Sequence, residues 1–156
     1  MSLADLKGTL VLDPTHTTLS FVTRHAMVTK VRGSFEKFEG SAVVDAANPA
    51  ASSLDVKIET ASVDTRNADR DAHLRSGDFF DAEQFPYITF KGTDFAVKGD
   101  VVEVTGDMTI KDVTRSVTFP LEYQGEAKDP FGNTRVGFEG SVQVLRSDFG
   151  LTWNAA

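Results

Sequence analysis

The sequence predicts an all-β fold: eight antiparallel strands with one short helix around 67–75, closed into a barrel in preference to a stacked sandwich. Three observations carry this reading. Apolar residues recur at every second position through most of the chain, the period of a half-buried strand. Turn-forming runs such as Asn48-Pro49, Lys98-Gly99-Asp100 and Asp129-Pro-Phe-Gly-Asn133 separate the alternating stretches. Most stretches carry one apolar and one polar face, so the apolar faces must cover one another, and closure also removes exposed sheet edges.

The elements follow in order. Residues 9–13 form a short first strand, and 18–24 alternate with Leu19 and Phe21 on one face. The alternation fails at 25–29, where a single helical turn fits. Residues 31–44 read as one long strand, with Phe35 on one face and Phe38, Ala42 and Val44 on the other. Gly33 and Gly40 permit the bulge or bend that such a change of face needs. Residues 54–60 set Leu54, Val56 and Ile58 against Asp55, Lys57 and Glu59, and 87–97 carry Ile88 and Phe90 on one face. Residues 101–110 group Val102, Val104, Met108 and Ile110. Residues 115–125 group Val117, Phe119, Leu121 and Tyr123, and 134–146 group Val136, Phe138, Val142 and Val144. The runs 31–44 and 134–146 exceed the usual ~5–6 residues, and long bent strands suit a barrel. The polar stretch 64–77 differs: Thr65 or Asn67 can cap a helix and Gly77 can end it, giving a helix over 67–75. An eight-stranded barrel is just wide enough for its own side chains or for one small ligand, and periodicity leaves both open.

The length of 156 residues suits one domain, 1–156. A net charge of -7 offers no broad basic field for nucleic acid or an anionic membrane surface. With no cysteine there are no disulfides, thiol nucleophiles or thiolate-held metals. No stretch approaches the ~18 apolar residues of a membrane-spanning helix. Residues 1–8 carry neither a basic start nor an apolar run, so the expected location is the cytoplasm, or the periplasm or exterior if a leader has been removed.

Few residues offer chemistry. His16, His25 and His73 lie on three separate predicted elements without metal-pair spacing, so no metal site is expected. His16 and His25 suit hydrogen bonds to backbone near strand ends. Arg70 and Asp71, with Asp64, Asp69, Asp78 and Asp81, would do acid–base work only if one carboxyl were buried and its pKa raised. Helix-dipole compensation and clamping of the helix account for them more simply. There is no Gly-x-Ser-x-Gly elbow and no phosphate loop, so no catalytic residue and no cofactor are expected. The conspicuous feature is twelve phenylalanines. Phe79, Phe80, Phe85 and Phe90 gather after the helix, and Phe21, Phe119 and Phe138 recur on inward faces. Each alone suits ordinary core, and together they suit the wall of an apolar tunnel.

Asp13-Pro-Thr-His16, Leu19-x-Phe21 and Arg24-His25-Ala-Met-Val28 resemble the opening of the YceI-like family of polyisoprenoid-binding proteins. Ser62-Val-Asp-Thr65, Arg70-Asp71-x-His73-Leu74, Asp78-Phe-Phe-Asp81 and Phe85-Pro86-x-Ile-Thr-Phe90 resemble its central block. Gly106-Asp-Met-Thr-Ile-Lys-Asp-Val-Thr-Arg115, Phe131-Gly-Asn-x-Arg-Val-Gly-Phe138 and Arg146-Ser-Asp-Phe-Gly-Leu151 resemble the later blocks. The likeness runs in order over about 9–153, and the ordered set is specific where each motif alone is weak. Two features depart from it: Leu145 stands where members often have Asn, and the chain opens without the secretory signal many members carry. The Gly-x-Trp signature of true lipocalins is also absent, so any relation to lipocalins is one of architecture.

The resemblance implies an extended eight-stranded antiparallel lipocalin-like barrel with a long, hollow apolar cavity. It implies non-catalytic binding, storage or transport of a long-chain isoprenoid, polyprenyl or quinone-like, or a similar amphiphilic lipid. The inward positions then become cavity wall: Phe21, Val56, Ile58, Phe80, Phe90 and Val104 from the first part of the chain. Met108, Ile110, Val117, Phe119, Leu121, Phe138 and Val142 complete it. Arg24, His25 and Arg32, with Lys30 beside them, are candidates to meet a headgroup, and Arg66, Arg70 and Arg75 form a second set. Two other readings compete: an enzyme acting on a small apolar substrate at the barrel mouth, and a structural or stress-linked module with a filled barrel. The expected partner is a lipid and not nucleic acid; the oligomeric state is open, a homodimer included.

Overall fold

A computed structural model describes residues 2–25 and 29–151. Among these the chain forms ten strands, one α-helix and four short 3-10 turns. The early strands are β1 (Lys7–Val11), β2 (Ser20–His25), β3 (Thr29–Phe35), β4 (Phe38–Asp45), β5 (Ser53–Glu59) and β6 (Val63–Asp64). Helix α1 (Ala68–Arg75) follows, then β7 (Tyr87–Lys98), β8 (Val101–Ile110), β9 (Val113–Lys128) and β10 (Thr134–Gly140). All pairing is antiparallel. A seven-stranded sheet runs β1-β4-β5-β7-β8-β9-β10, and a three-stranded sheet runs β2-β3-β6.

The large sheet curls into a half-barrel with an apolar inside, so the predicted all-β, barrel-like architecture with one short helix is what the chain forms. The strand count rises from eight to ten because the structure divides the stretch expected as one long strand and adds the two-residue β6. The run 31–44 becomes β3 and β4, interrupted at Glu36-Lys37, so Phe35 and Phe38 change faces through a break and not a bend. The bulges lie elsewhere: Thr93 is unpaired where β7 shifts register against β8, and Gln124 where β9 shifts against β10. The expected helical turn at 25–29 is replaced at both ends by strand, since His25 closes β2 and pairs with Thr29 of β3; residues 26–28 lie outside the described residues. The run 134–146 stops early. β10 ends at Gly140, paired with Leu121, and the next partner would be Pro120, which has no N–H to donate.

Two packed plugs fill the ends of the curl. Leu3 and Leu6, around an N-terminal 3-10 turn, are buried with Ala46. Leu10 and Val44 from one side of the sheet, and Val102, Tyr123 and Phe138 from the other, pack against them. Residues from distant strands meet in one cluster only because the sheet curls, which identifies this face as the inside. At the other end Ile88, Ile110, Phe149 and Leu151 are buried, with Phe35, Ile58, Phe80, Met108 and Val113 packed on them.

The helix begins where its cap allows. The Asn67 side chain accepts the Arg70 backbone N–H at 3.0 Å. Asp71, buried in this polar helix, accepts the backbone N–H and hydroxyl of Thr65 at 2.8 and 2.6 Å. Arg70 donates to the Thr65 hydroxyl at 2.8 Å and to its carbonyl at 2.7 Å. Arg70 and Asp71 therefore hold the helix to the chain after β6 through Thr65.

Candidate functional site

The strand register assembles one continuous apolar face. Val56 of β5 lies opposite Phe90 of β7, which lies opposite Met108 of β8. Leu54 leads to Gly92, then Gly106, then Val117 of β9. Phe95, Val104 and Phe119 form the next row, and Val97, Val102 and Leu121 the one after. Phe90 comes close to the sheet at Gly106, where there is no side chain. A Cβ on Gly106 would stand 2.5 Å from the Phe90 ring and 2.5 Å from the Lys91 carbonyl oxygen. Phe95 lies over Gly92 in the same way, with 2.6 Å to a Cβ placed there. Glycine thus lets large rings line the wall without filling the space between walls.

Burial along this face is uneven, and the unevenness locates the site. Ile88 and Ile110 at one end and Leu3 and Leu6 at the other are buried. Between them Val56, Val117, Phe119 and Leu121 point to the same side yet stay half-buried. A filled barrel would bury its central inward residues most deeply. Here Phe90 and Val104 are packed while the inward residues of β5 and β9 beside them stay half-buried, which leaves an apolar trough along those strands between the two plugs. The Phe90 and Phe119 rings meet over the glycine row between them, tilted by 60° at 5.3 Å between centroids. A second aromatic series, Phe21–Phe35–Phe80, steps at 5.6 and 5.9 Å toward the helix side.

Eleven of the thirteen expected wall residues divide into three groups. Val56, Val117, Phe119 and Leu121 line the accessible trough. Phe90 and Val104 are 7% and 1% exposed and back the wall instead of presenting it. Ile58, Phe80, Met108 and Ile110 belong to one plug and Phe138 to the other. Phe21 is half-buried with its ring against Gly33, and Val142 is half-buried in the irregular stretch after β10. Arg32 is exposed opposite Val22, on the face of β3 away from Phe35. Arg24 and His25 are strand residues whose side chains lie outside the described residues. Sequence reasoning missed Phe95, which the Thr93 bulge returns to the inner face, and the Leu3–Leu6 plug, which has no periodicity to announce it.

The polar groups are structural in their arrangement. Asp13 accepts the Thr15 hydroxyl at 2.7 Å and backbone N–H at 3.0 Å, contacts His16 Nδ1 at 2.8 Å, and pairs with Arg135. These hydrogen bonds, Thr15's first, hold its carboxyl well below the usual carboxylate range. Asp129 is likewise lowered, chiefly by the Asn133 backbone N–H, and Arg135 is raised by its bond to Asp13. His16 thus contacts a carboxylate, not the backbone expected of it. His73 Nε2 contacts Asp78 at 2.9 Å. Burial raises the Tyr123 phenol, assisted by Glu126, Asp100 and Asp5, and its hydroxyl is buried without a hydrogen-bond partner among the described residues. A separate open recess, lined by Glu36, Lys37, Glu39, Lys57, Glu59 and Tyr87, is charged and shallow, with Lys57 Nζ 3.9 Å above the Tyr87 ring.

Fold and trough together define a barrel-like antiparallel protein built around an accessible apolar interior. The YceI-like domain model matches residues 10–156. The chain is 40% identical over 136 residues to the UPF0312 protein of Pseudomonas aeruginosa strain LESB58, covering 87% of this chain and 71% of that protein. The chain belongs to the YceI-like family. Among solved structures it is similar to Burkholderia cenocepacia BcnA, with a TM-score of 0.78 at 28% identity over 88% of this chain and 82% of that one. It shares its fold with a polyisoprenoid binding domain from Saccharophagus degradans, TM-score 0.61 at 19% identity over 76% and 68% of the two chains.

Proposed function

We propose that this protein binds a long-chain isoprenoid, polyprenyl or quinone-like, or a similar amphiphilic lipid inside the half-barrel, as a non-catalytic carrier or store. The observation that carries the reading is the set of half-buried inward residues, Val56 of β5 and Val117, Phe119 and Leu121 of β9, between two packed ends. Membership of the YceI-like family and the shared fold of a polyisoprenoid binding domain support the ligand class.

The energetics agree. Each CH₂ removed from water contributes about 0.8 kcal/mol, so roughly ten sequestered carbons gross ~8 kcal/mol. Association costs several kcal/mol of that, so tight binding needs a longer chain. A wall of rings and aliphatic groups discriminates by length and apolarity and poorly among chains of equal length.

Displacement of a fluorescent polyprenyl probe by unlabelled prenols of increasing length tests the proposal. Affinity should climb with each isoprene unit until the trough is full and then level off. Absence of displacement at every length would overturn it.

A further inference from the structure

From β1 across to β9 at Tyr123, the inner face of the described residues carries one charge. Across the inward positions of β1, β4, β5, β7 and β8, and of β9 as far as Tyr123, the described residues are apolar or glycine except Tyr123 itself and Arg115. Register settles the face. Arg115 lies opposite Met108, two positions from Val113 and two from Val117, all inward residues. It is exposed and has no hydrogen-bond or ion-pair partner among the described residues. On the outer face Lys7 pairs with Asp45 and Lys98 with Glu103.

We propose that Arg115 is the anchor for an anionic headgroup, a phosphate or carboxylate, on the lipid held in the trough. This rests on the lipid-binding reading above. A guanidinium on an apolar face is tolerable in the free protein because water reaches it. Once an apolar chain fills the trough that hydration is reduced, and an anion at the same place restores the lost interactions through charge-assisted, two-pronged hydrogen bonds. Arg115 also sits at one end of the accessible row. From it β9 runs eight residues to Tyr123 at the opposite plug, about 27 Å at ~3.4 Å per residue. The headgroup therefore stays by Arg115 while the chain extends past Val117, Phe119 and Leu121 toward the Leu3–Leu6 plug. Arg32, exposed on the other side of β3, has no such position relative to the trough.

The test compares two probes of identical chain, geranylgeranyl phosphate and geranylgeraniol, with the wild-type protein, Arg115→Gln and Arg115→Lys, folding being checked by thermal unfolding. Wild type should bind the phosphate about tenfold more tightly than the alcohol, a preference that shrinks as salt is raised. Arg115→Gln should bind both equally while keeping its affinity for the alcohol, and Arg115→Lys should retain part of the preference. Inorganic phosphate should displace neither probe, which separates a lipid headgroup from a free anion. A preference that survives in Arg115→Gln, a wild type without preference, or displacement by inorganic phosphate would overturn the assignment. If wild type binds neither chain, the lipid reading itself fails and takes this inference with it.

Discussion

Arg135 of β10 donates to the carboxylate of Asp13, which lies just past the end of β1 and 122 residues earlier in sequence. β1 and β10 are the two outer strands of the curled sheet. The curl is thus bridged at its open seam by a side-chain pair where a closed barrel would use a backbone ladder. Arg135 also reaches Asp129 at 3.2 Å, which ties the same clasp to the β9–β10 turn.

The clasp should weaken in acid. Asp13 and Asp129 have folded-state pKa values below their ordinary ones, so each binds its proton more readily when unfolded. Their contribution is complete above the usual carboxylate value near ~4 and is lost as pH falls through the lowered folded values. Arg135→Gln should lower the urea midpoint modestly at pH 7, since the pair is solvent-exposed, and the gap from wild type should close in acid. Asp13→Asn combined with Arg135→Gln should cost less than the sum of the two. A gap independent of pH, or full additivity, would show that the clasp does not act as an ion pair.

Phe90 and Phe119 touch, yet they should respond differently to truncation. Phe90→Ala removes a buried ring that covers Gly106 and should cost about 3–5 kcal/mol of stability. Phe119→Ala removes a half-buried ring and should cost clearly less while weakening prenol binding. Phe119→Asp should abolish binding by placing an unpaired carboxylate on the apolar wall. Chemical denaturation paired with probe titration checks this, and equal stability losses for the two alanine variants would contradict the trough.

Close approach at Gly106 should make it intolerant. Gly106→Ala forces its new methyl against the Lys91 carbonyl and the Phe90 ring and should destabilise by about 1–3 kcal/mol. Gly137→Ala, whose Cβ would sit 3.4 Å from Gln124 Cβ, serves as the tolerated comparison. Thermal unfolding of the two variants should separate them by several degrees, and coincident curves would refute the packing argument.

Tyr123 buries a hydroxyl that no described residue satisfies. Tyr123→Phe should therefore leave stability unchanged or raise it by up to about 1 kcal/mol, with the ring contact to Phe138 preserved. A loss above ~1 kcal/mol would mean that the hydroxyl has a stabilising partner.

Much of this architecture is legible in the sequence because half-buried strands print their faces as alternation. β5, β7 and β8 fall within a residue of their expected limits, and the inward sets Leu54-Val56-Ile58 and Val102-Val104-Met108-Ile110 share the faces assigned to them. The helix over Ala68–Arg75 was legible through the Asn67 cap. What escaped obeys no period. β6 is two residues long, the Thr93 bulge shifts Phe95 by one position, and β10 stops because of Pro120 on another strand. The plugs at Leu3–Leu6 and Phe149–Leu151 depend on contacts far away in the chain. Arg115 opens the expected strand 115–125 with no face assigned to it, and its meaning required the register that sets it opposite Met108 between Val113 and Val117.

The central claim is that the lipid lies inside the curl, against the half-buried row. Intermolecular NOEs between the methyl groups of a bound polyprenol and the side chains of the selectively labelled protein test this most directly. The expected result is contacts from the isoprenyl methyls to the Phe119 ring and to the methyls of Val56, Val117 and Leu121. Contacts confined to the outer recess around Lys57 and Tyr87, with none to Phe119, would contradict it.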